Sequence, residues 1–278
     1  MAILPLLFGA SIAVAPLPQA TPASIAPVAR PAPHPALWVV NDNDTIIYLF
    51  GTFHALDGKT DWFDRAVKTA FSQSDELMLE TLVPRPGEII GWPDRVPAAR
   101  PGPERPSPVA QLAPSASFLA TTKLVMKAGR TKGLSTDRGA DAILRDAADY
   151  SGKKVAGLES FEFQLNMFKA LPPAQPPSSS QDPRTVQALG AVLTQLEAAW
   201  SHGNLETFAP LLKQMQAQSP RTYRSMFVER NARWAHWIAD RLQTPGTIFV
   251  AVGAGHLSGP DSVQNQLATM GVKSARVN

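Results

Sequence analysis

The chain contains no cysteine. Disulfides, thiol nucleophiles, Cys-ligated zinc and a lipid-carrying N-terminal Cys are all excluded, while the compartment is left open. Charge is also scarce, at 18% of 278 residues, and the net charge is only +3. The Lys and Arg are scattered, so neither a nucleic-acid stripe nor a polybasic membrane patch is present, and neither partner is expected. Long apolar runs are missing as well. The most apolar stretch, residues 3–15 (ILPLLFGASIAVA), falls short of the roughly 20 residues that a bilayer span requires. Familiar catalytic signatures are lacking too. Gly253-Ala254-Gly255 misplaces the third glycine of a dinucleotide fingerprint. Gly157-Leu158-Glu159-Ser160-Phe161 has Glu where a nucleophile elbow needs Ser. No Walker loop and no His-Glu-x-x-His helix occurs.

What is present begins with that N-terminus. An apolar stretch is followed by small-x-small sites (Ala13-Val14-Ala15, or Pro18-Gln19-Ala20) and then a Pro/Ala-rich segment. This pattern predicts a signal peptide over 1–20 and a spacer over 21–36, hence export to the periplasm. The leading residues carry no Lys or Arg, so an uncleaved anchor is the alternative reading. One domain is expected over 37–278, interrupted by a Pro-rich insertion at 84–108.

Within that domain, LWVVNDNDTIIYLF reads as two strands around an Asn/Asp turn. Residues 61–74 have helical apolar spacing, and 76–81 and 153–160 read as strands that end in Glu80 and Glu159. Helices are predicted over 116–130, 138–150, 184–202, 205–217 and 221–243, with a breaker-rich connection at 171–183. A strand at 247–252, a helix near 260–270 capped by Ser258 or Asp261, and a closing strand complete the reading. Alternating strands and helices predict an α/β fold, a mixed central sheet covered by helices.

The chemistry is concentrated at strand ends. IIYLFGTFHALD (46–57) and IFVAVGAGHLSG (248–259) both place Gly-x-x-His after an apolar run. If the strands are parallel, His54, Glu80, Glu159 and His256 gather at the carboxyl edge of the sheet, where α/β proteins bind ligands. Two imidazoles and a carboxylate suit a divalent metal with open coordination positions. The glycines are expected to turn the chain sharply after each strand. Each residue also has a plain structural reading, as a hydrogen-bonded histidine or an exposed or capping glutamate. Asn231 lies on the apolar stripe Phe227, Trp234, Ile238, beside Arg230. An inter-helix hydrogen bond with a snorkelling Arg is one reading of that pair, and a clamp on a substrate carbonyl is the other. The remaining histidines, His34, His202 and His236, suit a spacer, a helix C-terminus and a helix surface.

The blocks LFGTFHALD, SDELMLET, GKKVAGLESFEFQL, ERNARWA and FVAVGAGHLSGPDSV, in this order, resemble the TraB/GumN family, which includes PrgY and the animal Tiki proteins. The resemblance covers about 37–278. It implies a fold related to the erythromycin-esterase and ChaN-like group. It also implies a paired Gly-x-x-His site (His54, His256) with Glu80 and Glu159 as ligand or base, and Arg230 and Asn231 as the clamp. For the Tiki members a divalent-metal-dependent protease activity is described, so the resemblance implies a metal-dependent hydrolase, foremost a peptidase; the N-terminal pattern makes it an exported one, and the mixed His/carboxylate ligands do not select between Mn, Co and Zn. A metal-dependent esterase acting on a small molecule, and a peptide- or metal-binding envelope protein without turnover, stand as alternatives.

Overall fold

The structure is a computed structural model that describes residues 34–63, 65–84, 116–172 and 182–277. The signal peptide, nearly all of the spacer and the Pro-rich insertion beyond Pro84 lie outside the described residues. Six strands form one mixed sheet: β1 (Leu37–Asn41), β2 (Thr45–Thr52), β3 (Glu76–Thr81), β4 (Lys154–Glu159), β5 (Gly246–Gly253) and β6 (Ala275–Arg276), in the order β4-β3-β5-β2-β1-β6. β2, β5, β3 and β4 run parallel, and β1 and β6 are antiparallel additions at one side. The expected α/β class with a mixed sheet is therefore correct.

The predicted hairpin joins β1 to β2, with Val39 opposite Tyr48. Its turn is held by Asp42, whose Oδ1 accepts the backbone N–H of Thr45 at 2.9 Å, the side-chain turn mimicry that favours Asp there. β5 is central, and its residues from Ile248 to Gly253 are all buried. That explains its unbroken apolar sequence, since a parallel strand covered on both faces has no polar alternate positions.

Helices α1 (Arg65–Gln73), α2 (Ala116–Thr131), α3 (Ala140–Tyr150), α4 (Phe161–Ala170), α5 (Pro183–Ser201), α6 (Ala209–Gln218), α7 (Pro220–Tyr223), α8 (Glu229–Arg241) and α9 (Val263–Thr269) surround the sheet. Among the described residues no helix is long and apolar enough to cross a membrane. α1 is shorter than its apolar spacing suggested, because Trp62 and Phe63 instead join an aromatic cluster. Phe50 stacks on Trp62 at 5.6 Å and meets Trp200 and Phe249. Trp200 Nε1 also donates to the carbonyl of Gly51 at 2.6 Å, which pins the end of β2 immediately before His54. The cap of α9 differs from expectation. Ser262, not Ser258 or Asp261, accepts from the third helical N–H. Ser258 instead donates to the Leu205 carbonyl, and Asp261 accepts from Tyr223.

α7 and α8 form one continuous helical run through a π-helical segment, Arg224–Val228. The sequence contains no Gly or Pro there to announce it. Such segments commonly mark functional sites, and this one immediately precedes Arg230 and Asn231.

Candidate functional site

The four parallel strands deliver their ends to one edge, as the sequence suggested. β4 ends at Glu159, β3 carries Glu80 one residue before its end, and β2 and β5 lead into His54 and His256. His256 lies on a 3-10 turn, Ala254–Leu257. All four side chains are buried, as are Arg230 and Asn231.

The two glycines do a different job from the one anticipated. Gly51 and Gly253 are strand residues, and neither has positive φ, so no sharp turn depends on them. They supply space. A Cβ on Gly253 would stand 3.0 Å from His54 Nε2, 3.3 Å from Glu80 Oε2 and 3.6 Å from His256 Cδ2. Those three groups therefore converge on one small cradle that only a missing side chain leaves open.

Each histidine is anchored through Nδ1. His54 Nδ1 lies 2.8 Å from Asp141 Oδ1, at the start of α3. Burial alone would lower its proton affinity, but the charge and hydrogen bond of Asp141, helped by Glu80, more than offset this and raise it. His256 Nδ1 lies 2.6 Å from Asn231 Oδ1. Asn231 Nδ2 donates to the Asp261 carbonyl at 2.7 Å, so its Oδ1 must accept from His256. That assigns the proton to Nδ1 and leaves a lone pair on Nε2. Burial first, then Arg230 and His54, push the His256 pKa down to about 3 against the opposing pull of Glu80. His256 is thus a neutral imidazole at ordinary pH, packed 4.5 Å from the Trp234 ring and 4.8 Å from Phe227.

Arg230 ties the edge together. Its Nε donates to both Glu159 oxygens, and its Nη2 donates to Glu159 Oε2 and to Glu80 Oε1, each at 2.7 Å. Its Nη1 faces the lone pair of His256 Nε2 at 3.3 Å and donates to the Met226 carbonyl of the π segment. The guanidinium also lies 4.7 Å from the Trp234 ring. Glu80 receives further hydrogen bonds from Gln164 and from Gly253 N. Burial would raise its pKa, but chiefly Arg230, then the histidines, hold it well below the usual carboxylate range.

Glu159 has both oxygens engaged by Arg230, with Arg233 adding a third donor. It therefore serves the guanidinium, beside Glu80, and lines neither the pocket around Gly253 nor the cleft that opens from it. Asp141, Gln164 and Arg233 complete the site without having been singled out in sequence. Asp141 sits in the first turn of a helix, where an acid reads equally as dipole compensation.

Among the described residues no group of three or more His, Asp or Glu side chains stands in a ready metal-holding arrangement. The donor chemistry nevertheless fits a divalent ion. His54 Nε2 and Glu80 Oε2 face one cradle, and both rings are oriented through Nδ1 as ligand histidines are. His256 Nε2 would join them by giving up its Arg230 donor. A cleft of about 270 Å³ opens from His54 and Glu80 towards Asp141 and Thr81. Thr52 Oγ1 and Thr81 Oγ1 are buried beside it and make no hydrogen bond among the described residues. Unpaired buried hydroxyls are uncommon, and of the three among the described residues (the third is Thr122) two line the cleft.

The sequence model of the TraB/PrgY/gumN family matches residues 36–91 and 98–276. No curated protein and no solved structure matches the chain.

Proposed function

From the premise that the chain belongs to the TraB/PrgY/gumN family, we propose that it is a divalent-metal-dependent hydrolase, foremost a peptidase. The observation carrying this reading is the convergence of His54 Nε2, Glu80 Oε2 and the edge of His256 within 3.6 Å of one point before Gly253. His54, His256 and Glu80 would hold the ion, which when bound supplies Lewis-acid polarisation of a carbonyl or of water. Mn, Co and Zn all accept such ligands. Asp141 and Asn231 fix the ring orientations. Arg230 clamps the Glu80 carboxylate and keeps a positive charge beside the reacting centre, and Glu159 holds Arg230 in place. Thr52 and Thr81 offer hydroxyls to a polar substrate in the cleft.

A second reading rests on the raised proton affinity of His54. Backed by Asp141, its neutral imidazole is a stronger base than the Glu80 carboxylate, which Arg230 holds well below the usual range. Hydrolysis would then proceed by acid–base chemistry alone.

Chelation followed by reloading with Mn, Co or Zn, metal analysis, and digestion of a peptide library would distinguish the two. The metal-dependent reading expects stoichiometric ion, cleavage that chelation abolishes, and loss of both in His54→Ala and His256→Ala. Gly253→Ala, whose backbone needs no adjustment (φ −52, ψ 136), should keep the fold yet lose the ion and activity, because its methyl fills the cradle. Chelator-resistant cleavage lost in His54→Ala supports the acid–base reading. Absence of ion together with cleavage indifferent to His54→Ala sinks both. The apolar stretch 3–15 supports an exported, periplasmic location. N-terminal sequencing of the periplasmic protein should then find a start after Ala15 or Ala20.

A further inference from the structure

His54 lines a second cavity besides the cleft that holds Glu80 and Asp141. This cavity, about 210 Å³, is walled by the apolar Phe53, Val125, Met126, Leu134 and Leu193, with Arg130 and Asp137 also in its lining. It shares His54, Thr136 and Asp137 with that cleft, so the two are contiguous at the 3-10 turn Thr136–Arg138. Its volume exceeds the roughly 150 Å³ at which an apolar cavity already accepts benzene. Glu80, Asp141, Thr52 and Thr81 line the one space and five large apolar side chains wall the other, so a peptide residue can set its main chain in the first and its side chain in the second. The unpaired hydroxyls of Thr52 and Thr81 lie in the cleft with Glu80.

We propose that the cavity between α2, α5 and His54 is the subsite for a large apolar side chain, Leu, Met or Phe in size, next to the bond to be cleaved. The inference rests on the hydrolase reading for the word cleaved, but the binding it asserts is independent of turnover. Gly129 sets the depth of the subsite. It lies on α2 and lines the cavity, and a Cβ there would meet Leu134 and Leu193 at ordinary contact distances of 3.6 and 3.7 Å. Alanine is therefore accommodated, whereas the isobutyl group of leucine enters the cavity.

The test uses the full chain and two probes, N-acetyl-phenylalaninamide and N-acetyl-glycinamide, followed by backbone amide shifts of Gly129 and Leu134. The phenylalanine probe should move these signals saturably and the glycine probe should not. Gly129→Leu should weaken the phenylalanine probe about tenfold or more, in line with what apolar pockets discriminate, while Gly129→Ala binds as wild type. If Gly129→Leu does not fold, Val125→Ala supplies the complementary arm: the wider cavity should favour a naphthylalanine probe over phenylalanine, reversing the wild-type order. Where a peptide library is cleaved, Gly129→Leu should shift the residue preferred beside the bond from Leu, Met or Phe to Ala or Gly. Equal binding of both probes, or order and affinity unmoved by a folded cavity variant, overturns the proposal. Selective probe binding without cleavage of any peptide leaves the subsite standing and removes only the hydrolase reading.

Discussion

A buried guanidinium shared by two carboxylates makes Arg230 the most consequential single side chain. It is fully buried, and each of its three nitrogens is engaged. Arg230→Ala would strand Glu80 as a buried charge without its cation and leave Glu159 only the half-exposed Arg233, a change that costs roughly 3–5 kcal/mol, so denaturant melts should show a loss of that size. Adding Glu80→Gln and Glu159→Gln should recover much of it. The histidines predict a pH profile for the metal-free protein. His256 titrates near 3 when folded against 6.5 when unfolded. The unfolded chain therefore binds more protons between those values, and stability falls as the pH drops below 6.5, by at most about 1.4 kcal/mol per pH unit. His54 is shifted the other way, so its contribution is fully present below 6.5 and is lost as the pH rises through its folded value. The two histidines should thus favour the folded state most near pH 6.5, and His256→Gln should flatten the acid side, measured by urea melts from pH 4 to 8. At this scale much of the site was legible, because His54, His256 and Glu80 follow apolar strands at recognisable ends. Asp141 was not, since nothing in a helix-start acid says which distant ring it faces. Nor was the service of Glu159 to a guanidinium instead of the cradle visible, because spacing does not report who pairs with whom.

The elements show the same division. Apolar spacing predicted a helix over 221–243 where the run spans 220–241, and the stripe Phe227, Trp234, Ile238 is indeed buried with Asn231 within it. What spacing could not reveal is the π segment Arg224–Val228, which inserts one extra residue into the turn and re-aims all that follows. An α-helix advances about 100° per residue. Deleting Ser225 should therefore restore regular helix while turning Arg230 and Asn231 away from Glu159 and His256. Circular dichroism should report unchanged helicity, while ion binding and any hydrolysis are lost. A merely local irregularity would leave both intact. The misplaced cap of α9 has a similar origin: Ser258, Asp261 and Ser262 all suit an N-cap, and only the tertiary partners Leu205 and Tyr223 decide which one remains free for it.

For the whole molecule, the parallel order β4-β3-β5-β2 explains why four distant segments share one edge. Alternation of strand and helix announced this in sequence, whereas the position of β5 between β3 and β2 required the folded chain. The two Gly-x-x-His segments are neighbours there, yet they are not equivalent. Thr52, not Gly51, pairs with Gly253, and the second segment coils into a 3-10 turn where the first does not. The sequence repeat therefore hides a folded asymmetry, visible in the opposite proton affinities of the two rings. The ion-pair network around them has a consequence for cation uptake. Arg230 and Arg233 oppose Glu80, Glu159 and Asp141, so the network is left with one excess negative charge that a proton on His54 neutralises. A divalent cation arriving in the cradle must compete with that proton for the same lone pair. Uptake should release protons, so calorimetric heats of metal titration should vary with the ionisation enthalpy of the buffer, and affinity should climb with pH until His54 is deprotonated. On the metal-dependent reading the site would be an exchanger, trading acid for metal, with the acidity of its surroundings setting how readily it loads.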